Sequence, residues 1–119
     1  CAADRDNAVN KKSVADFRKK YGRYPSFYAA QSYDAIMFIK SGVEAMSGDI
    51  GNIDGMRAAL KKADFDSIRG DFSFGNNHFP IQNFYERTVV KDADGNWTTA
   101  VGRAVLKDHQ DPYASQCKM

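Results

Sequence analysis

The first part of the chain places apolar side chains among charged ones at helical spacing. Val14, Phe17 and Tyr21 recur every three or four residues, and lysines and arginines take most of the remaining positions. This pattern predicts an amphipathic helix whose cationic last turn is favourable to the helix dipole. Because Gly22 follows the last apolar residue, we predict that the helix ends there.

A second helical pattern, from residue 26 to residue 46, is apolar around most of its circumference. Tyr33, Ile36 and Val43 form its main stripe, with Ser26 at the start. The strongly polar residues that interrupt it are Gln31, Asp34, Lys40 and Glu44. A helix that is apolar nearly all round usually packs on more than one side. We therefore expect this helix to lie between neighbours.

The third helical pattern is short and covers one face. A polar loop over residues 47–52 precedes it, and Asn52 is a suitable N-cap. Its apolar stripe consists of Ile53, Met56, Leu60 and Ala63.

The spacing shortens from helix to strand after residue 64. Residues 68–74 are predicted to be extended, with Phe72 and Phe74 on one side. Residues 84–90 and 97–105 flank the sequence Asp92-Ala93-Asp94-Gly95-Asn96, a strong turn signal, and therefore read as a hairpin. The tail after residue 111 is predicted to form a short turn.

Composition limits the classes of protein to which these elements belong. With 119 residues, 43% hydrophobic and 27% charged, the chain has the size of one small globular unit. A net charge of +2 with interspersed signs supplies no basic face for nucleic acid, although residues 11–28 do combine cations with aromatic rings. No apolar run approaches the roughly 20 residues of a membrane-spanning helix. A nucleic-acid-binding domain therefore remains a weaker alternative.

Catalytic and metal-binding patterns are not supported by the spacing. The metal-compatible side chains are far apart in the sequence: Cys1, His78, His109 and Cys117. Short ligand spacings typical of zinc sites are missing, and no glycine-rich phosphate loop or nucleophile beside a base is evident. We therefore predict no metal, no cofactor and no enzymatic activity, with an enzyme as an alternative from another class.

The two cysteines leave two interpretations open. Cys1 and Cys117 permit a single intramolecular disulfide in an oxidising compartment, which would stabilise the fold by about 4 to 5 kcal/mol in the chain-entropy model. Alternatively, a chain that begins with cysteine resembles a mature lipoprotein with a lipid on that residue. Both interpretations expect a segment removed upstream of Cys1.

Five aromatic residues lie close together between residues 21 and 35. A helix stop, a proline turn, the adjacent rings of Phe27 and Tyr28 and the start of the apolar helix all fall within this segment. Surface connections rarely contain so many rings. The segment is therefore predicted to form the wall of a cavity.

The order of the elements points to a larger fold. Three helices ahead of a few late strands correspond to the last part of a parallel α/β pattern, so we expect the chain to be one part of a longer protein. Uncovered apolar faces are then expected to drive self-association of this part alone.

Several stretches resemble, in order and spacing, the C-terminal third of periplasmic substrate-binding proteins of the branched-chain amino acid (Leu/Ile/Val) type from ABC importers. They are Asp6-Asn7, residues 14–17, Lys20-Tyr21-Gly22, residues 25–35, residues 56–60 and residues 70–74. The resemblance implies an α/β, two-lobe type I periplasmic-binding-protein fold. Residues 1–75 would belong to the second lobe, and residues 84–105 would form a hinge and first-lobe hairpin.

The resemblance also implies a function and a site. It implies an extracytoplasmic, periplasmic component of bacterial ABC uptake that binds a small amino acid or related carboxylate between two lobes. Its partners would be a membrane permease and the N-terminal part of the same protein. Sensors for amides or urea, and binding of aromatic acids, are the alternatives within the fold.

Three residues at the start of the second helix are the predicted ligand contacts. Tyr28 best matches the cleft aromatic of the family, Phe27 is its neighbour, and Gln31 follows one turn later. Backbone amides at this helix N-terminus suit a ligand carboxylate. The alternative for Phe27 is a hydrophobic staple that fixes the helix entry, and Tyr33 is expected in the core.

Overall fold

Three helices are followed by a small antiparallel sheet. The computed structural model describes residues 4–71 and 73–118. Within these residues the elements are α1 (Ala8–Tyr21), α2 (Phe27–Ala45), α3 (Ile53–Lys61), β1 (Ser73–Phe74), β2 (Pro80–Lys91), β3 (Trp97–His109) and a terminal 3₁₀ turn (Ala114–Gln116). The predicted α/β class, with three helices ahead of three late strands, is confirmed.

Local capping chemistry fixes the helix boundaries. The side chains of Asn7, Ser26 and Asn52 accept hydrogen bonds from backbone amides in the first turns of α1, α2 and α3. At the end of α1, Gly22 adopts a left-handed conformation with φ of 65° and donates its amide hydrogen to the Arg18 carbonyl. Glycine takes this conformation without a steric penalty. The predicted starts of α2 and α3 and the predicted end of α1 are confirmed.

Helix α3 packs on α2 at a close approach beside Gly42. A Cβ atom on this buried glycine would lie 2.7 Å from Leu60 Cδ2 and 3.0 Å from Met56 Cε. The third helix ends at Lys61, and Ala63 follows it with φ of 50°. Ala63 therefore lies outside the helical stripe to which the sequence pattern assigned it.

The sheet has the order β1-β2-β3, and both pairings are antiparallel. The hairpin is confirmed and is longer than predicted. Register shifts occur opposite Gln82 to Arg87 of β2, where β3 supplies the extra residues between Val101 and His109, and such irregularities bend a strand. The predicted strand over residues 68–74 is wrong for most of its length, because among the described residues of this range only Ser73 and Phe74 pair in the sheet. Ile68 lies instead in a buried turn.

The tip of the hairpin contacts the end of α1. The Tyr24 hydroxyl donates a hydrogen bond of 2.8 Å to Asp92 Oδ2, and the Arg18 guanidinium lies 4.4 Å from the centre of the Tyr24 ring. The Asn96 backbone amide, above all, lowers the pKa of Asp92, while the bond to Asp92 raises the pKa of Tyr24. These groups hold the hairpin against the helices.

Little apolar surface is fully buried in the described residues. The buried apolar side chains are Val14, Ala30, Ile68 and Ala114. The Cα radius of gyration is 16.5 Å, against about 13.5 Å for a compact domain of this length. Ile36, on the same predicted apolar stripe as Tyr33, is 65% exposed, because no described element covers that side of α2. The described residues therefore leave wide apolar faces open.

Candidate functional site

The site begins with one face of α2. Phe27, Gln31 and Asp34 lie at positions i, i+4 and i+7, so the geometry of the helix aligns them along one side. The Ser26 side chain caps this end by accepting from the Ala29 amide at 3.3 Å. The cap holds the first turn of α2, and with it the position of Phe27.

Asp34 is the buried anchor on this face. Its side chain is 2% exposed, and it accepts three hydrogen bonds: from Ser67 Oγ at 2.7 Å, from the Ile68 amide at 3.0 Å and from Arg69 Nε at 2.8 Å. A buried carboxylate is tolerated only when it is paired and hydrogen-bonded in this way. Asp34 therefore fixes residues 67–69 against α2.

Arg69 extends this network from α2 to the sheet. Its Nη1 atom donates to Gln82 Oε1 on β2 at 3.3 Å, a long bond for this type of contact. The Arg69 side chain is 23% exposed. One guanidinium thus contacts a buried acid on the helix and an amide on the strand.

A cavity of about 300 Å³ lies between the start of α2 and the strands β2 and β3. Its polar and apolar lining groups are Arg5, Phe27, Gln31, Ile68, Arg69, Gln82, Asn83, Phe84, Tyr85, Arg87 and Val101. The combination of several rings with a few convergent polar groups is typical of small-molecule sites. Its volume is near the lower end for such sites.

The electrostatic character of this cavity is positive. Three guanidinium groups line it, and no aspartate or glutamate of the described residues does so. Arg5 lies over the Tyr85 ring at 5.0 Å from its centre, and Arg87 donates to Thr99 Oγ1. Asp34 reaches the cavity only through Arg69, because its own side chain is buried. The charge of this lining is complementary to that of a small anion.

Two of the three predicted contacts, Phe27 and Gln31, line this cavity. Tyr28 does not line it: its ring is 78% exposed and meets the Phe27 ring edge-on, 5.8 Å between centres. The role of each as a ligand contact stays a prediction. Cys117 is half-buried, but Cys1 lies outside the described residues, so the disulfide also stays a prediction.

The sequence analysis missed Asp34 and Arg69 as functional candidates. One signal was available, since Lys40 and Glu44 pair with each other one turn apart, whereas no cation lies three or four residues from Asp34. An acid without a local partner on an apolar helix indicates a partner distant in the sequence. Nothing in the sequence identified that partner as Arg69.

A second, larger cavity of about 510 Å³ lies between α2, α3 and β1. Its lining is mainly apolar, including Phe38, Met56 and Leu60, and it contains none of the predicted contacts. Among residues 4–71 and 73–118, no group of three or more acids, histidines or cysteines is placed to hold a metal. No helix in the same ranges is long and apolar enough to cross a membrane.

Comparison with known proteins identifies the family. The sequence profile described as "Periplasmic binding protein" matches residues 2–96. The chain belongs to this family. No curated protein matches the chain. The comparison with periplasmic binding proteins of known structure therefore rests on solved structures.

Three solved structures are similar to this periplasmic-binding-protein chain. A solute-binding protein of an ABC transporter from R. palustris, in complex with benzoate, is 32% identical with a TM-score of 0.86, over 100% of this chain and 31% of that one. A solute-binding protein of an ABC transporter from Rhodopseudomonas palustris BisB5, in complex with 3,4-dihydroxybenzoic acid, is 29% identical with a TM-score of 0.79. The match covers 94% of this chain and 30% of that one.

The third similar structure is an ABC transporter substrate-binding protein from Sphaerobacter thermophilus. It is 22% identical with a TM-score of 0.80, over 91% of this chain and 29% of that one, and supports the fold alone. The chain thus spans about a third of the length of the structures it matches. The family and these neighbours are solute-binding proteins of ABC transporters, a class that is not enzymatic, which supports the predicted family and fold.

Proposed function

We propose that these residues supply the last third of an extracytoplasmic solute-binding protein that delivers a small aromatic carboxylate to an ABC importer. The observation that carries this proposal is the cavity between α2 and β2, where three guanidinium groups and several rings converge without an acidic lining group. Rings suit an aromatic body, and guanidinium groups suit a carboxylate. The R. palustris neighbours hold benzoate and 3,4-dihydroxybenzoate.

The same chemistry makes a branched-chain amino acid the weaker candidate. Its ammonium group needs acceptors, preferably a carboxylate, and the acceptors among the lining side chains are neutral, such as the amide oxygens of Gln31 and Gln82 and the hydroxyl of Tyr85. The charge of the lining therefore favours the aromatic acid.

The lobe assignment is part of the proposal. Residues 1–75 would form part of the second lobe, and residues 84–105 the hinge and first-lobe hairpin. The bulged stretch of β3 between Val101 and His109, opposite Gln82 to Arg87 of β2, supports a hinge at this place, because bulges bend strands. The exposed apolar faces of α2 and α3 would pack against the rest of the protein, and a membrane permease and a periplasmic location follow from the transport role.

Calorimetry on the full-length two-lobe protein tests this function. Benzoate and 3,4-dihydroxybenzoate are expected to bind saturably and to be recovered unchanged, whereas leucine and valine are expected to give no saturable heat. Binding of leucine with no binding of the aromatic acids would contradict the proposed ligand class. Chemical conversion of a bound ligand would contradict the transport role.

A further inference from the structure

Resting on the proposed function, we infer that Arg69 is the residue that recognises the ligand's carboxylate and that Asp34 positions it. The relevant geometry is a guanidinium held at Nε by a buried acid, 2.8 Å away, at the wall of the cavity that Phe27 and Gln31 also line. Arg69 would contact the ligand. Asp34, which is buried behind it, acts through Arg69 and is a positioning residue.

Pre-organisation distinguishes Arg69 from the other two arginines of the cavity. A cation that is already fixed loses less conformational entropy when it binds an anion. The Arg69 side chain is 23% exposed and is bound on two sides. Arg87 is exposed on β2 and contacts Thr99, and Arg5 lies along the Tyr85 ring. Arg5 and Arg87 add positive potential to the cavity, whereas the fixed guanidinium of Arg69 presents its hydrogen-bond donors in a defined direction.

The contact with Gln82 shows how a carboxylate would enter. Arg69 Nη1 donates to the neutral Gln82 amide oxygen over 3.3 Å. A carboxylate makes shorter and stronger bonds to a guanidinium than an amide does, so it would displace or share this bond. The bond to Asp34 would remain, because both Asp34 oxygens are already engaged by residues 67–69.

A purely structural role is the competing explanation. Arg69 bridges α2 and β2, so its loss would disturb the shape of the cavity for any ligand. Carboxylate recognition makes a different prediction, because it discriminates benzoate from benzamide, a neutral molecule of nearly the same shape. The ratio of the two affinities is therefore the decisive measurement.

The experiment compares benzoate and benzamide binding to the full-length protein by calorimetry. Replacing Arg69 by Gln is expected to weaken benzoate binding about 10- to 100-fold, the range for hydrogen bonds to charged groups, and to change benzamide binding by less than about threefold. Arg69→Lys keeps the positive charge but loses the planar pair of donors of the guanidinium. Its benzoate affinity should therefore lie between those of wild type and Arg69→Gln. Asp34→Asn should also weaken benzoate binding selectively.

Two matched controls come from an exposed ion pair on α3. Asp54 and Arg57 pair over 3.0 Å with side chains 94% and 63% exposed, and they lie outside the candidate cavity. Asp54→Asn and Arg57→Gln are expected to leave both affinities within about threefold of wild type. They make the same chemical changes as Asp34→Asn and Arg69→Gln.

Gln82→Met separates the two roles of Arg69. It removes the bridge to β2 and leaves the bond to Asp34. Because Gln82 also lines the cavity, both affinities are free to change, and the readout is their ratio: benzoate over benzamide is expected to stay within about threefold of wild type. If Arg69→Gln does not fold, the ratios for Arg69→Lys and Gln82→Met still decide. Equal loss of both ligands in the Arg69 variants, unchanged benzoate affinity in them, or a Gln82→Met change in the ratio as large as theirs would overturn the inference. Wild type that binds no aromatic carboxylate would instead defeat the proposed function.

Discussion

Replacing Asp34 by Asn should loosen residues 67–69 from α2. An asparagine keeps the size of the side chain but turns one acceptor oxygen into a donor, and Arg69 Nε cannot accept from it. Removing one partner of a buried ion pair typically costs about 3–5 kcal/mol. Because Arg69 is 23% exposed and regains some hydration, we expect about 2–4 kcal/mol for this pair.

Hydrogen exchange at the Ile68 amide measures this loss locally. In the wild type this amide donates to Asp34 Oδ1 at 3.0 Å, so it exchanges only when the 67–69 segment opens. A loss of about 2–4 kcal/mol corresponds to exchange about 30- to 1000-fold faster. The control, Asp54→Asn, should leave the Ile68 rate within about threefold, since exposed ion pairs contribute about 0–1 kcal/mol.

A double-mutant cycle tests the physical reason. If the ion pair carries the effect, Asp34→Asn combined with Arg69→Gln should cost clearly less than the sum of the single changes, by about 1 kcal/mol or more. Additive effects would show that Asp34 acts through Ser67 and Ile68 alone. An Ile68 exchange rate in Asp34→Asn that matches the Asp54→Asn control would refute the reasoning entirely.

Gly42→Val is expected to lower the thermal midpoint, because even a Cβ would lie 2.7 Å from a leucine methyl and overpacking destabilises; thermal denaturation with Ser41→Ala as the control checks this, and an unchanged midpoint would contradict it. Tyr24→Phe should lower the thermal midpoint between about pH 4 and about pH 10. The raised pKa of Tyr24 preserves the hydrogen bond until the pH rises above the ordinary pKa of tyrosine, and the lowered pKa of Asp92 preserves it until the pH falls below the ordinary pKa of aspartate; a difference that does not shrink as Tyr24 loses its proton in the alkaline range would contradict this. The 119-residue chain alone should self-associate through its open faces, and light scattering that gives a monomer would contradict this.

Local chemistry made the helices and the hairpin predictable. Ser26 and Asn52 cap their helices through hydrogen bonds within three residues, and Gly22 ends α1 in the way that glycine commonly does. The turn at residues 92–96 has an acid at its first position that accepts from the backbone amides of Asp94 and Asn96. These interactions depend only on neighbours in the sequence, so a sequence pattern carries them.

Long-range chemistry was not predictable in the same way. The apolar pattern around Ile68 suggested a strand, but hydrogen bonds to Asp34, more than 30 residues away, hold this segment in a buried turn. A single buried isoleucine is compatible with either conformation. Similarly, the sequence placed Phe27 and Gln31 near a cavity, yet the arginine beside them comes from a loop whose position the helix pattern does not determine.

The network around Asp34 also links the two parts of the candidate site. Helix α2 supplies Phe27 and Gln31, β2 supplies Gln82, and Arg69 contacts Asp34 on the helix and Gln82 on the strand. If β2 moves relative to α2 when a ligand binds, the 3.3 Å bond to Gln82 is the contact that changes most easily, because it is long and joins a cation to a neutral amide. The 2.8 Å bond to a buried carboxylate would hold Arg69 in place during that movement. The arrangement therefore allows the strand to adjust while the carboxylate-binding cation stays with the helix.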